Sequence, residues 1–173
     1  EGTYNLPEAQ LDRFLMYIKI DQPDANTERK ILKLVRTEQR ETKEQDPAWQ
    51  EFSKTVGKIA VEDILTARRE VLSMHVSESL EEYLVQLIVA TRKPEKYDAS
   101  LRDKILFGAS PRATIALDKC AKINAWLDGR DFVTPEDIHA VIYDVLRHRI
   151  ILSFEAQADG LTTDDIIASL LKT

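Results

Sequence analysis

The chain has 173 residues, of which 30 are acidic and 24 are Lys or Arg, so its formal net charge is −6 at pH 7. This balance argues against a general nucleic-acid or anionic-membrane surface, because neutralising phosphates needs local positive charge. A single cysteine, Cys120, excludes an internal disulfide framework and a multi-cysteine zinc site. No apolar run approaches the roughly 20 residues of a membrane helix, and no signal peptide opens the sequence. We therefore expect a cytoplasmic protein with no membrane span.

A short apolar run near the N-terminus is predicted to be a strand. Residues 14–20 (FLMYIKI) carry the aromatic and β-branched side chains typical of a strand buried on both faces, although a buried helix segment also fits. No other segment offers this strand a parallel neighbour, and a lone strand cannot satisfy its backbone groups. We therefore expect the chain to be a piece of a longer protein whose missing sheet lies upstream.

From Pro23 onward the pattern is helical. Asn26 is the predicted cap of the first helix, and a later one is predicted to start at Ser77 or Ser79. The clearest helix starts are Ser110-Pro111, Thr134-Pro135 and Leu161-Thr162. The second of these leads into a complete apolar stripe made of Ile138, Val141, Ile142, Val145 and Leu146. The fold class is therefore mainly α, a helical bundle preceded by one strand.

The sequence carries no self-sufficient catalytic site. Gly57-Lys58 resembles the end of a phosphate-binding loop, but the full G-x-x-x-x-G-K-[ST] pattern fails here. The G-x-S-x-G pattern of a serine nucleophile is also missing. No metal site is expected, because the histidines lack metal-ligand spacing; they are His75, His139 and His148.

Two arginines admit both a structural and a functional interpretation. Arg112 follows Ser110-Pro111 in the first helical turn, where a cation opposes the helix dipole at a cost of roughly 0.3–1 kcal/mol. The amides of that helix end suit a phosphate, which Arg112 would help to bind; the alternative is a solvated side chain that pairs with an acid such as Asp103. Arg13 either pairs with Asp12 or is available to a neighbouring subunit. Spacing alone favours the structural interpretation of both.

The same two places carry a family resemblance. Residues 1–4 (EGTY) and 6–14 (LPEAQLDRF) resemble the segment after sensor 1 in MoxR-type AAA+ ATPases, and residues 108–113 (GASPRA) resemble the sensor 2 motif of that family. Residues 127–137 (LDGRDFVTPED) and 146–152 (LRHRIIL) match its C-terminal pattern. The resemblance extends over nearly the whole chain, in order, and reverses the preference for both arginines.

The resemblance implies a division of the chain and two site residues. Residues 1–22 correspond to the end of the α/β ATPase core, with its last strand, and residues 23–173 to the helical lid. Arg13 corresponds to the arginine finger, which acts in trans on the γ-phosphate bound by the adjacent subunit. Arg112 corresponds to the sensor 2 arginine, which contacts an ATP phosphate in cis or in trans. The family's phosphate loop, Mg²⁺-binding acid and sensor 1 residue are absent from this sequence.

The implied function is that of the lid region of a MoxR-like AAA+ ATPase. The parent protein would be a homo-oligomeric ring, a hexamer, that uses ATP and Mg²⁺ for chaperone-like remodelling or maturation of protein complexes and metalloenzymes. Its implied partners are a von Willebrand factor A domain protein and client proteins. This chain alone is not expected to hydrolyse ATP or to bind it tightly. The alternatives are a non-catalytic helical interaction module and, on the basic cluster at residues 147–149, a DNA-binding bundle.

Overall fold

The computed structural model describes residues 6–40, 57 and 59–172, so residues 1–5 of the resemblance lie outside the described part. The chain divides into two compact units, one made of Glu1–Ile18 with Arg68–Thr173 and the other of Lys19–Ala67. The described residues are mainly helical, which confirms the predicted fold class. In chain order the elements are α1 (Glu8–Leu11), α2 (Ala25–Arg40), α3 (Val61–Leu72), α4 (Glu78–Arg92), β1 (Ile105–Phe107), α5 (Pro111–Leu127), α6 (Pro135–Leu146), β2 (Ile151–Leu152), α7 (Phe154–Ala158) and α8 (Thr163–Leu170).

Helices α5 and α6 form the centre of the larger unit. Helix α6 buries the whole predicted stripe, and α5 packs against it with mostly small side chains, which are Ala113, Ala116, Leu117, Cys120, Ala121 and Ala125. Helices α4 and α8 cover this pair with buried aliphatic residues such as Ile88 and Ile166. Each buried aliphatic side chain contributes about 1.5–3 kcal/mol, so this core is a firm support for the segments attached to it.

The three clearest helix starts predicted from the sequence are confirmed. The Ser110 hydroxyl accepts a hydrogen bond from the amide of Arg112 at the start of α5. Thr134 caps α6 together with a carboxylate one turn later, and Thr162 does the same at α8. The open choice at α4 is settled in favour of Ser77, whose hydroxyl accepts from the amide of Leu80 at 3.3 Å.

Strands β1 and β2 form a short antiparallel ladder in which Ile105 lies opposite Leu152 and Phe107 opposite Ile151. The two strands lie far apart in sequence, and residues 92–107 carry no alternating pattern that would predict one of them. The ladder brings the segment before α5 close to the turn that follows α6.

The predicted strand at residues 14–20 is wrong for this chain, since these residues form neither helix nor strand. No parallel strand lies beside them in the described residues, so the hydrogen-bond ladder that a strand requires is missing. Most of their apolar side chains are exposed, Phe14 and Ile18 among them. Residues 14–17 bind the helical bundle through backbone groups instead; the amide of Tyr17 donates to the carbonyl of Asp144 at 2.7 Å.

The smaller unit is built on α2. This helix is capped by Asp24, whose carboxylate accepts from the amide of Thr27 at 2.8 Å, and the predicted cap, Asn26, lies inside the helix. About half of each predicted apolar side chain on α2 is exposed, namely Ile31, Leu32 and Val35. Across the described parts of the chain, no helix combines the length and apolarity needed to cross a bilayer.

Candidate functional site

The segments that contain Arg13 and Arg112 meet in the larger unit, although they are far apart in sequence. Asp12 connects them: one carboxylate oxygen accepts a hydrogen bond from the Ser110 hydroxyl at 2.8 Å and lies 3.8 Å from Nε of Arg112. Arg13 is the next residue along the chain. The segments that carry the two predicted site residues are therefore joined by one carboxylate, that of Asp12.

Arg13 lies in the turn that ends α1, where its amide donates to the carbonyl of Gln10 at 3.1 Å. Its side chain is exposed and has no hydrogen bond or ion pair with residues 6–40, 57 or 59–172. The neighbouring carboxylate of Asp12 faces Ser110 and Arg149 instead. The Arg13 guanidinium is thus accessible to an anion outside the described chain.

Arg112 lies in the first turn of α5, and 59% of its side chain is exposed. The 3.8 Å separation from Asp12 is longer than a hydrogen bond, and the structure gives Arg112 no ion pair with Asp103. The first turn of α5 contains no acidic residue. Because the first amides of a helix carry partial positive charge, this end combines a guanidinium and a helix dipole that both favour an anion.

The residues before α5 are fixed against the end of α4. A Cβ added to Gly108 would lie 2.4 Å from the carbonyl oxygen of Thr91, so a side chain cannot fit there without movement of the backbone. The Thr91 hydroxyl accepts from the amide of Ala109 at 2.9 Å, and Nε of Arg92 donates to the carbonyl of Ala109 at 2.6 Å. These contacts set the direction in which α5 begins, and with it the direction of its amides.

The turn after α6 holds the loop at residues 12–15. Arg149 lies in this turn with only 2% of its side chain exposed. Its Nε donates to the Asp12 carboxylate at 3.1 Å, and its two Nη groups donate to the carbonyls of Asp12, Phe14 and Leu15 at 3.2, 2.6 and 3.1 Å. A further hydrogen bond reaches the carbonyl of Val145.

The two residues before Arg149 also bind this segment. Nη1 of Arg147 donates to the carbonyl of Tyr17 at 2.9 Å, while its Nε donates to Asp164. Nε2 of His148 lies 3.1 Å from the carbonyl oxygen of Phe14. Burial lowers the pKa of His148 below its usual 6.5, which keeps the ring neutral near pH 7. The basic cluster that supported a DNA-binding alternative is thus engaged in internal contacts.

A second charged cluster, at the start of α6, is complete within the chain. Asp137 has 1% of its side chain exposed and accepts hydrogen bonds from Arg130 at 2.5 and 2.7 Å. The amide of Thr134 and the side chain of Asn124 also donate to this carboxylate, each at 2.8 Å. Arg130, above all, holds the pKa of the Asp137 carboxyl well below its usual 3.8. This cluster is structural, because its polar atoms already have partners.

Cys120 and the possible metal ligands are the other candidates that the sequence offered. Cys120 is buried in the core, as predicted, and burial raises the pKa of its thiol. Within the described ranges, no three side chains among His, Cys, Asp and Glu are placed to hold a metal ion.

Comparisons with known proteins match this chain to one family. Residues 99–170 match the family model of the AAA lid domain. Over its full length the chain is 34% identical to the chaperone MoxR1 of Mycobacterium tuberculosis, of which it spans 43%. It is also 35% identical, over 88% of its length, to the protein MoxR of Methylorubrum extorquens, of which it spans 44%.

A solved structure gives the same result. A candidate ATPase of Cytophaga hutchinsonii is 41% identical to this chain and superposes with a TM-score of 0.85, over 99% of this chain and 49% of the other. The chain therefore spans about half the length of the relatives it matches. It belongs to the MoxR family of AAA+ ATPases and corresponds to the C-terminal part of such a protein, the part with the AAA lid domain.

Proposed function

We propose that this chain is the lid-bearing part of a ring-forming ATPase in which Arg13 is the arginine finger and Arg112 the sensor 2 arginine. Residues 1–22 are then the end of the ATPase core and residues 23–173 the lid. The observation that carries the proposal is the pair of exposed guanidinium groups: neither is hydrogen-bonded to a carboxylate of the described chain, and their segments are joined through Asp12.

The two arginines suit the terminal phosphates of a nucleotide. ATP, with Mg²⁺, supplies the phosphoryl group whose transfer spreads negative charge over its oxygens, and positioned cations stabilise that charge. An arginine finger donated by a second molecule raises GTPase rates by about 10³–10⁵. Arg13, which lies in a turn with an unpaired side chain, suits that task, and Arg112 adds its charge to the amides of α5.

We place both arginines at the same nucleotide, which is bound by the neighbouring subunit. Because Asp12 precedes Arg13 and also contacts Ser110, the start of α5 lies beside the finger loop within one subunit. A phosphate that Arg13 reaches across a subunit boundary is therefore near Arg112 of the same subunit. This geometry favours action in trans for Arg112, a choice that the sequence left open.

The work of the whole protein is proposed from its relatives. A relative is named a chaperone, and AAA+ proteins assemble as rings, so we propose a cytoplasmic hexamer that couples ATP hydrolysis to remodelling or maturation of protein complexes and metalloenzymes. A von Willebrand factor A domain protein and client proteins are its proposed partners.

The test is ATP turnover by the longer protein that joins this chain to its nucleotide-binding part. Arg13→Ala should lower kcat by about a thousandfold and leave ATP binding intact, because a finger acts on the transition state. Arg112→Ala should lower kcat less. Arg68→Ala, which removes an exposed arginine of α3, is the matched control and should turn over like wild type. Wild-type turnover by Arg13→Ala would contradict the proposal.

The alternative function is a non-catalytic helical interaction module in which both arginines are structural. The observation in its favour is the exposed apolar row on α2, made of Ile31, Leu32 and Val35. It predicts that Arg13→Ala and Arg112→Ala both leave the turnover of the longer protein unchanged. The same measurement therefore separates the two functions.

A further inference from the structure

The basic segment at residues 147–149 has no part in the proposed function, yet its contacts are concentrated on the loop that carries Arg13. We infer that Arg149 and Asp12 are positioning residues, which hold the Arg13 loop in a fixed place beside the start of α5. The inference rests on the proposed function, in which Arg13 is the finger.

The Arg149 guanidinium supplies hydrogen bonds to the loop carbonyls that backbone amides would supply in a helix or a strand. The carbonyls of Asp12, Phe14 and Leu15 all accept from its Nη groups. Backbone carbonyls that turn away from water need such donors, and a buried cation needs such acceptors, so the loop and Arg149 stabilise each other. The planar fork of an arginine can bond to several oxygens in fixed directions, which the ammonium group of a lysine cannot do.

Asp12 extends this contact to the second site residue. One of its carboxylate oxygens accepts from Nε of Arg149, and the other accepts from the hydroxyl of Ser110, the cap of α5. One carboxylate thus ties together the turn after α6, the loop and the start of α5. Since Arg13 follows Asp12 directly, a displacement of Asp12 moves Arg13 as well. A misplacement of about 1 Å at a reacting centre lowers rates by about a hundredfold.

The loop at residues 12–15 contributes little apolar surface to the core. Core packing of this loop therefore does not explain why Arg149 is so deeply buried. Phe14 and Leu15 are both about half exposed, and the partners of the Arg149 side chain other than Val145 lie in residues 12–15. Arg149 therefore orders a segment that carries Arg13 and buries little apolar surface. This favours a positioning role over a contribution to folding alone.

Amide hydrogen exchange on this chain tests the contact without nucleotide. Arg149→Lys keeps the charge and removes the fork, whereas Asp12→Asn keeps the size and removes the charge. In both variants the amides of Phe14 and Tyr17 should exchange at least about tenfold faster, while those of α5 and α6 stay protected. Arg130→Lys is the matched control: it breaks an arginine fork at the start of α6 and should leave residues 14–17 unchanged. Wild-type exchange at both amides in both variants would overturn the inference.

Turnover by the longer protein tests the consequence. Arg149→Lys and Asp12→Asn should lower kcat about 10- to 100-fold with the KM for ATP unchanged. Mixing either variant with a phosphate-loop variant should restore activity, because the second subunit supplies a well-placed finger. Arg130→Lys should keep its kcat at temperatures below its unfolding. If Arg149→Lys does not fold, Asp12→Asn decides, because that side chain is partly exposed.

The outcomes separate this inference from the proposed function. An inactive Arg13→Ala beside fully active Arg149→Lys and Asp12→Asn would overturn the positioning role alone. A loss of kcat in these variants without rescue on mixing would also overturn it, because it would mean damage to the variant's own subunit. A fully active Arg13→Ala would overturn the proposed function itself.

Discussion

Helices α5 and α6 begin with the same local pattern but treat their positive ends differently. Each starts with a hydroxyl cap followed by a proline, Ser110-Pro111 in α5 and Thr134-Pro135 in α6. In α6 the buried carboxylate of Asp137 bonds back to the helix start. In α5 the first turn holds Arg112 and no acid. The start of α6 is therefore neutralised by an acid of its own first turn, whereas the start of α5 has only the more distant Asp12 carboxylate, 3.8 Å from Nε of Arg112, among the described residues.

The arginines at the two helix starts differ in how their charges are paired. Arg130 and Arg149 are bonded to carboxylates and carbonyls of their own chain, so their charges are matched. Arg112 instead opposes the dipole of its helix and lies 59% exposed. A residue that breaks a local rule and has only weak compensation inside the chain, as Arg112 has from Asp12 at 3.8 Å, marks a place where a partner is expected.

The largest expected effect on stability is at the start of α6, where Asp137 is buried and hydrogen-bonded. Asp137→Ala should lower the free energy of unfolding by about 3 kcal/mol or more, because Arg130, Thr134 and Asn124 lose their acceptor. Urea unfolding of this chain measures the change. Asp128→Ala is the control: Asp128 also pairs with Arg130 but is 63% exposed, so the loss should stay below about 1 kcal/mol. Equal losses in the two variants would contradict the structural role of Asp137.

The next effect concerns the contact between the residues before α5 and the end of α4. Gly108→Ala should lower the free energy of unfolding by about 1–3 kcal/mol, because the new Cβ meets the backbone of Thr91 and Arg92. Gly57→Ala is a suitable control, since a Cβ there meets no described atom within 4 Å. Thermal unfolding compares the two. A Gly108→Ala variant as stable as Gly57→Ala would show that the contact with α4 does not constrain α5.

Acid should weaken the start of α6. Since the pKa of Asp137 is lower in the folded chain than its usual 3.8, the folded state binds fewer protons in acid than the unfolded state. The stabilisation is therefore complete above about pH 5 and is lost progressively below it. The difference in unfolding free energy between wild type and Asp137→Asn should shrink from about pH 5 to about pH 3. A constant difference over that range would contradict a lowered pKa of Asp137 in the folded chain.

The smallest effect on stability is expected at the start of α5, from substitution of Arg112. Arg112→Ala should change the free energy of unfolding by less than about 0.5 kcal/mol, because the side chain is exposed and its removal relieves the unfavourable dipole interaction. In the longer protein the same substitution should lower ATP turnover. The unfolding free energy of this chain and the ATP turnover of the longer protein are both measured on purified variants. A loss of more than about 1 kcal/mol in this chain would mean that Arg112 is structural.

The sequence predicted what local chemistry determines. The caps Ser110, Thr134 and Thr162 and the stripe on α6 depend on residues within a few positions of one another, so their patterns are visible in the sequence. The contact between Arg149 and Asp12 joins residues 137 positions apart and has no local signal. The basic pattern at residues 147–149 and the family resemblance were the signals available, and neither assigned a role to Arg149.

The sequence misjudged two strands, one predicted at residues 14–20 and one missed at residues 105–107, because strand formation depends on a pairing partner. Residues 14–20 have the composition of a strand, but a strand forms only where a neighbour completes its ladder, and none lies beside them in the described residues. The pairing of β1 with β2 was missed for the opposite reason, because partners distant in sequence made a strand of a segment without a strand pattern.

The central claim is that Arg13 and Arg112 of one subunit meet the nucleotide of the next. It is tested most directly by mixing two variants of the longer protein: one carries Arg13→Ala and Arg112→Ala with an intact phosphate loop, and the other has a defective phosphate loop with both arginines intact. Each variant alone should be inactive. The mixture should hydrolyse ATP, because the second variant supplies both arginines to the sites of the first. A mixture as inactive as its parts, formed under conditions in which Arg13→Ala alone is rescued, would contradict the claim.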